Sequence, residues 1–110
     1  MQKALVRAGV CGFRTSIVAA SEDAQHVHLE IESDCEKIQL LAADLPLIDG
    51  YQEISDGFKG VIHQKVRKTL RGCCSGCIVP SGIFKAMQVA AGLALPTDAG
   101  IQFERDGERR

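Results

Sequence analysis

Apolar and polar positions alternate along the first third of the chain. Residues 3–10 (KALVRAGV) read as a strand, with Lys3, Leu5 and Arg7 on one face. Cys11-Gly12 interrupts it, and because glycine takes positive φ at little cost this dipeptide reads as a hairpin turn. A second strand is expected over Thr15–Ala20, then a polar turn over Ser21–Gln25. Residues 26–31 alternate most cleanly, with Val27, Leu29 and Ile31 inward and His26, His28 and Glu30 outward. The period then changes. Ser33, followed three residues later by Glu36, has the spacing of a capping box. The helix it opens carries Ile38, Leu41 and Leu45 on one side and stops before Pro46. Pro46, Gly50, Gly57 and Gly60 make residues 46–60 a loop, with a short extended piece near Tyr51. A second helix is expected over Val61–Arg71, ended by Gly72. A third starts at Pro80 or Ser81, buries Ile83, Met87, Ala90 and Ala94, and closes at Pro96. Gly100–Arg105 reads as a last strand and residues 106–110 as a frayed tail. The order βββα-αα-β predicts an α+β fold: three N-terminal strands and one C-terminal strand in an antiparallel sheet, packed by about three helices.

Length and composition narrow the picture. A chain of 110 residues forms one domain over 1–110, since a second would leave neither half enough core. Hydrophobic residues at 45% and charged residues at 25% are ordinary for a globular protein. The net charge of −1 argues against a general nucleic-acid binder, as does the scarcity of aromatic residues for stacking. Charge is unevenly spread, however. Residues 1–60 hold 5 basic and 10 acidic side chains, net −5, and residues 61–110 hold 8 and 4, net +4. Lys3, Arg7 and Arg14 break up the apolar start, so no secretory signal is expected. Nor is any membrane span. The expected compartment is the cytoplasm.

There, thiols stay reduced, and five cysteines in a chain this short more often bind metal or do redox chemistry than form disulfides. Every cysteine falls where the backbone changes course: Cys11 at a hairpin turn, Cys35 in a first helical turn, and Cys73, Cys74 and Cys77 in a loop between helices. Cysteines used only as small hydrophobes would sit inside apolar stripes. Four ligands are available from Cys11, Cys35, Cys77 and one of Cys73 or Cys74, which suits tetrahedral zinc or a four-cysteine iron–sulfur cluster. Neither a zinc ribbon nor a ferredoxin run matches the spacing. Lys65, Arg67, Lys68 and Arg71 precede the cysteine loop and could offset thiolate charge or meet a redox or acidic protein partner. Taken alone, they are explained more simply as a solvated helix face.

Two other readings compete with the metal centre. Cys74 and Cys77 have the C-x-x-C spacing of a dithiol redox pair, although Pro80 separates them from the helix and no βαβ unit precedes them. An interaction module with incidental cysteines is the third. His26, His28, Glu30 and Glu32 share one strand face and read as its solvated side, and His63 as an exposed side chain. Ser75 lacks a nucleophile context, and phosphate-loop patterns are missing. With no acid/base pair or substrate pocket to point to, the sequence gives no support to an enzymatic activity and leaves the question open.

C-G-F at 11–13, S-D-C at 33–35, C-C-S-G-C-I-V-P-S-G at 73–82 and K-A-M-Q-V-A-A-G-L-A-L-P at 85–96 occur together. In this combination the chain resembles an uncharacterised family of about this length from anaerobic bacteria and archaea. The resemblance spans nearly the whole chain and implies no activity. It implies Cys11, Cys35, Cys73 and Cys77 as metal-site residues, with Cys74 as the alternate to Cys73. The anaerobic setting it implies tilts the metal from zinc toward iron–sulfur, and the role toward electron transfer or cluster carriage.

Overall fold

In the computed structural model, residues 1–104 are described; the expected tail at 106–110 lies outside them. Strands β1 (Gln2–Arg7), β2 (Arg14–Ala20) and β3 (His26–Ser33) form an antiparallel meander, as their alternation predicts. The fourth strand, β4 (Ile48–Asp49), pairs antiparallel with the start of β3, giving the order β1-β2-β3-β4. The fourth strand thus comes from the expected loop, near its extended piece. Residues 100–104, expected to begin the last strand, carry no strand pairing.

Helices α1 (Glu36–Asp44), α2 (Gly50–Asp56), α3 (Val61–Thr69) and α4 (Val79–Ala90) complete an α+β fold. They cover one sheet face: α4 lies across β1 and β2, α1 lies against β3, and α3 packs on both α1 and α4. Ile17, Ala19 and Val27 from the sheet meet Ile38, Leu41, Ile62, Ile83 and Met87 from the helices in one apolar core. The outer sheet face carries Lys3, Leu5, Arg7, His28, Glu30 and Glu32 and is left exposed.

Several local features depart from the expected pattern for identifiable reasons. The capping box does not form. Ser33 ends β3, where its hydroxyl bonds the buried Thr15 hydroxyl at 2.8 Å and accepts from the Cys35 amide at 3.1 Å. Cys35 therefore becomes the N-cap of α1. The short α2 replaces part of the expected loop because Asp49 caps it, one carboxylate oxygen accepting from the Tyr51 and Gln52 amides. α4 ends at Ala90 rather than near Pro96, because Gly92 adopts φ +74° and turns the chain out of the helix. Ala94 consequently lies outside α4 and is exposed.

Glycine also sets the spacing between layers. A Cβ on Gly82 would stand 2.6 Å from Val6 Cγ2, so only glycine lets the first turn of α4 press onto β1 at this distance. Gly72–Ala90, a 3-10 turn followed by α4, is long and apolar enough to cross a membrane by length and composition alone. Val79, Pro80, Ile83, Ala86 and Met87 of this stretch are buried in the core.

α3 begins without a side-chain cap of its own, since its N-cap is Gly60. Glu53, 1% exposed, supplies one from α2: its two oxygens accept from the Val61 amide at 2.8 Å and the Ile62 amide at 2.9 Å. A carboxylate is well suited to the positive end of a helix. Glu53→Ala leaves the buried Ile62 amide and the part-buried Val61 amide unpaired, and we expect a loss of about 3 kcal/mol in urea-monitored stability. A loss below about 1 kcal/mol would show that water replaces the carboxylate.

The β2–β3 turn is held differently. Asp23 accepts from the amides of Gln25 and His26 and lies 2.7 Å from His26 Nδ1. The hydrogen bond from His26 holds the Asp23 carboxyl well below its ordinary value, and the same bond raises His26 above its ordinary 6.5. A raised histidine stabilises most fully below its unfolded value and loses that contribution as pH climbs through the folded one; a lowered aspartate does the reverse on the acid side. The turn is therefore tightest between the ordinary carboxylate and histidine values. NMR titration of the His26 ring should give a midpoint above 6.5 that falls in Asp23→Asn. An identical midpoint in both proteins would disprove the pairing.

Candidate cysteine site

The cysteines arrive from three turns. The first is the β1–β2 connection, where Gly9–Cys11 forms a 3-10 turn flanked by Gly9 at φ +81° and Gly12 at φ +72°. It closes through Gly12 N donating to Gly9 O at 2.9 Å and Ala8 N donating to Phe13 O at 3.1 Å. The second is the β3–α1 junction, anchored to β2 by Asp34 N on Arg14 O and by the Thr15–Ser33–Cys35 hydroxyl relay. The third is the 3-10 segment Gly72–Gly76, between α3 and α4.

Sheet pairing brings the first two together, because Arg7 stands opposite Arg14 and Thr15 opposite Ser33. The close contact of Gly82 with Val6 brings the start of α4, and with it Cys77, to the same end of the sheet. A contact between elements 37 residues apart completes the meeting: Lys37 Nζ on α1 donates to Cys74 Sγ at 3.4 Å. Sequence patterns gave no signal for Lys37, because the contact exists only once α1 and the third turn are packed.

The five thiols differ in their surroundings. Cys11 and Cys73 are exposed; Cys35, Cys74 and Cys77 are partly buried and pack against the core. Burial pushes the Cys77 thiol up, and an opposing backbone hydrogen bond from Val79 partly offsets this. Negative charge at Cys35, Cys74 or Cys11 raises it further, so those three lie within electrostatic reach of Cys77. As the side chains stand, no group of three His, Cys, Asp or Glu among the described residues is arranged to hold a metal ion.

The basic stretch is less available than its sequence suggests. Lys65 and Lys68 stand 3.2 and 3.9 Å from Asp44, and Arg67 donates to Phe58 O at 2.6 Å. Arg71 is exposed beside the cysteine loop. His63 is partly buried between Phe58 and Phe84, at centroid distances of 4.8 and 5.2 Å, and burial lowers its pKa. An open cleft of about 490 Å³ lies between β3 and α1, and one of about 330 Å³ is lined by Phe58, His63 and Phe84 among others. No cysteine lines either.

The described residues form a two-layer α+β fold in which Cys11, Cys35 and Cys74 come within electrostatic reach of Cys77. The chain belongs to a family of unknown function, DUF6951, whose profile matches residues 2–103. No curated protein and no solved structure matches it.

The differences in burial are directly measurable. Under limiting iodoacetamide in metal-free, reduced protein, Cys73 should be alkylated well before Cys77, whose thiol is both sheltered and raised. Equal rates by peptide mapping would contradict the burial of Cys77.

Proposed function

We propose that Cys11, Cys35, Cys74 and Cys77 ligate one metal centre, an iron–sulfur cluster ahead of zinc, in a cytoplasmic electron-transfer or cluster-carrier protein. The observation that carries this reading is the arrival of these cysteines from three separate turns at one end of the sheet. Cys74 is preferred to Cys73 because it packs on the core and meets Lys37, whereas Cys73 points to solvent. Zinc–sulfur bonds of about 2.3 Å put the sulfurs of a zinc tetrathiolate about 3.8 Å apart. A cluster spreads its thiolates around a larger body. Cys11, Cys35 and Cys74 each lie within electrostatic reach of Cys77, the neighbourhood from which either centre would draw its ligands, and the preference for iron–sulfur rests on the anaerobic setting that the sequence resemblance implies.

The chain's own groups support the chemistry. Four thiolates carry excess negative charge, which the Lys37 ammonium and the N-terminal end of α1 would offset. The apolar core behind Cys35, Cys74 and Cys77 would shield one side from water. A bound cluster would supply one-electron transfer or a transferable iron–sulfur unit. Exposed Cys11 would leave the opposite side open to a partner, and Arg71 offers such a partner's acidic face a contact.

A second reading draws on the unequal Cys74–Cys77 pair, one sulfur beside an ammonium and the other sheltered. Such a pair suits a dithiol redox protein, which would need neither Cys11 nor Cys35.

Anaerobic purification with metal, sulfide and absorption measurements decides between them. We expect iron matched by acid-labile sulfide and a broad visible band. Both should be lost in Cys11→Ser, Cys35→Ser, Cys74→Ser and Cys77→Ser and retained in Cys73→Ser. Zinc with the same variant pattern would keep the four-cysteine centre and make it a structural clamp. Metal-free protein from every preparation would overturn the proposal. Removal of the metal should also lower the melting temperature, because the centre would tie three chain segments.

A further inference from the structure

Helix α4 carries two stripes, and one of them stands outside the core. Val79, Ile83, Ala86 and Met87 face inward, whereas Ser81, Phe84, Lys85 and Gln88, spaced i, i+3, i+4 and i+7, share another side. That second side forms one wall of the cleft of about 330 Å³. The other wall is built by Ile54 of α2, Phe58 of the 3-10 turn Gly57–Lys59 and His63 of α3.

The aromatic lining is held in place. Phe58 is 79% exposed, yet Gly57 turns the chain before it at φ +59° and Arg67 Nη1 donates to Phe58 O at 2.6 Å. The His63 ring lies between Phe58 and Phe84, within 23° of parallel to Phe84. Burial lowers the His63 pKa, so this ring is uncharged at neutral pH. A phenyl ring left mostly in water contributes little to folding and offers its face to a ligand. Small-molecule sites occupy about 300–1,000 Å³ and pair apolar walls with a few polar groups, which is the composition found here. The charged residue of the lining is Lys85, and positive charge on an apolar wall selects an anion.

We propose that the cleft between Phe58 and the outer stripe of α4 binds a small aromatic carboxylate. The ligand's ring lies against Phe58 and Phe84, and its carboxylate meets Lys85. Ser81 and Gln88, on the same wall as Lys85, supply further hydrogen-bond donors. The phenylalanines specify the ring and the lysine specifies the acid. The lining includes no cysteine, so the proposal is independent of the metal reading.

Amide NMR of the full isotope-labelled chain, titrated with phenylacetate, tests this. Saturable shifts are expected at Phe58, His63, Phe84 and Lys85, with a dissociation constant of about 1 mM. Phenethyl alcohol, which lacks the charge, and hexanoate, which lacks the ring, should both bind more weakly. Lys85→Met should weaken phenylacetate binding roughly threefold to fivefold and leave phenethyl alcohol unchanged. Phe58→Ala should weaken both aromatic probes. Phe58 and Lys85 are exposed, so both variants should keep the amide spectrum of the folded chain. Absence of saturable shifts up to about 10 mM phenylacetate would overturn the proposal. So would saturation at residues outside the cleft, equal binding of hexanoate, or a Lys85→Met variant that binds phenylacetate as tightly as the original chain.

Discussion

Burying a carboxylate costs several kcal/mol unless its oxygens find strong partners, and a helix that starts on glycine has amides to spare. Glu53 and α3 resolve each other's deficit. Both oxygens are taken by Val61 and Ile62, and the negative charge lies on the positive end of the helix. The fit leaves no slack: a Cβ at Gly60 would stand 2.7 Å from Glu53 Oε2. Much else follows from this contact. It fixes α3 against α2, lets Ile62 enter the core, and determines where α3 delivers Leu70 and the cysteine loop beyond it.

The other end of the molecule is built on a different principle. Glu53 holds one element with charge, while the cysteine turns are held by backbone pairing, the Thr15–Ser33 hydroxyl pair and the close contact of Gly82 with Val6. Each turn is fixed to its own scaffold, and among the described residues the Lys37–Cys74 contact is the one side-chain hydrogen bond joining α1 to the third turn. Turns built this way can hold sulfur side chains in one neighbourhood without forcing them together.

Much of the sheet and the helical layer was legible because period two and period 3.6 leave separate marks. Val27 and Ile17 inward, Ile38 and Leu41 on one helix side, and Ile83 with Met87 on another could all be read from spacing. What was hidden depends on contacts between distant positions. Ser33 and Glu36 have capping-box spacing, but the Ser33 hydroxyl also lies opposite Thr15, and the ladder decides its partner. Gly50 looks like a loop residue until Asp49 caps the helix it begins. Turn positions for the cysteines were legible; the difference between adjacent Cys73 and Cys74 was not, because it arises from α1 packing on only one of them. The family match accounts for nearly the whole chain while assigning no chemistry, so the turns' geometry has to supply the functional argument.

Gly82 links these levels. Its missing side chain brings α4 down on β1, which buries Ile83 and Met87 and also carries Cys77 toward the first two turns. A side chain at residue 82 would lift the helix by the width of a methyl group, and the core could relax around that at modest cost. The cysteine end could not relax in the same way. Cys77 lies five residues before Gly82, whereas Cys11 and Cys35 sit on the connections of the sheet, so a displaced α4 would move Cys77 relative to both. The same contact therefore bears on the position of Cys77 as well as on the packing of the fold.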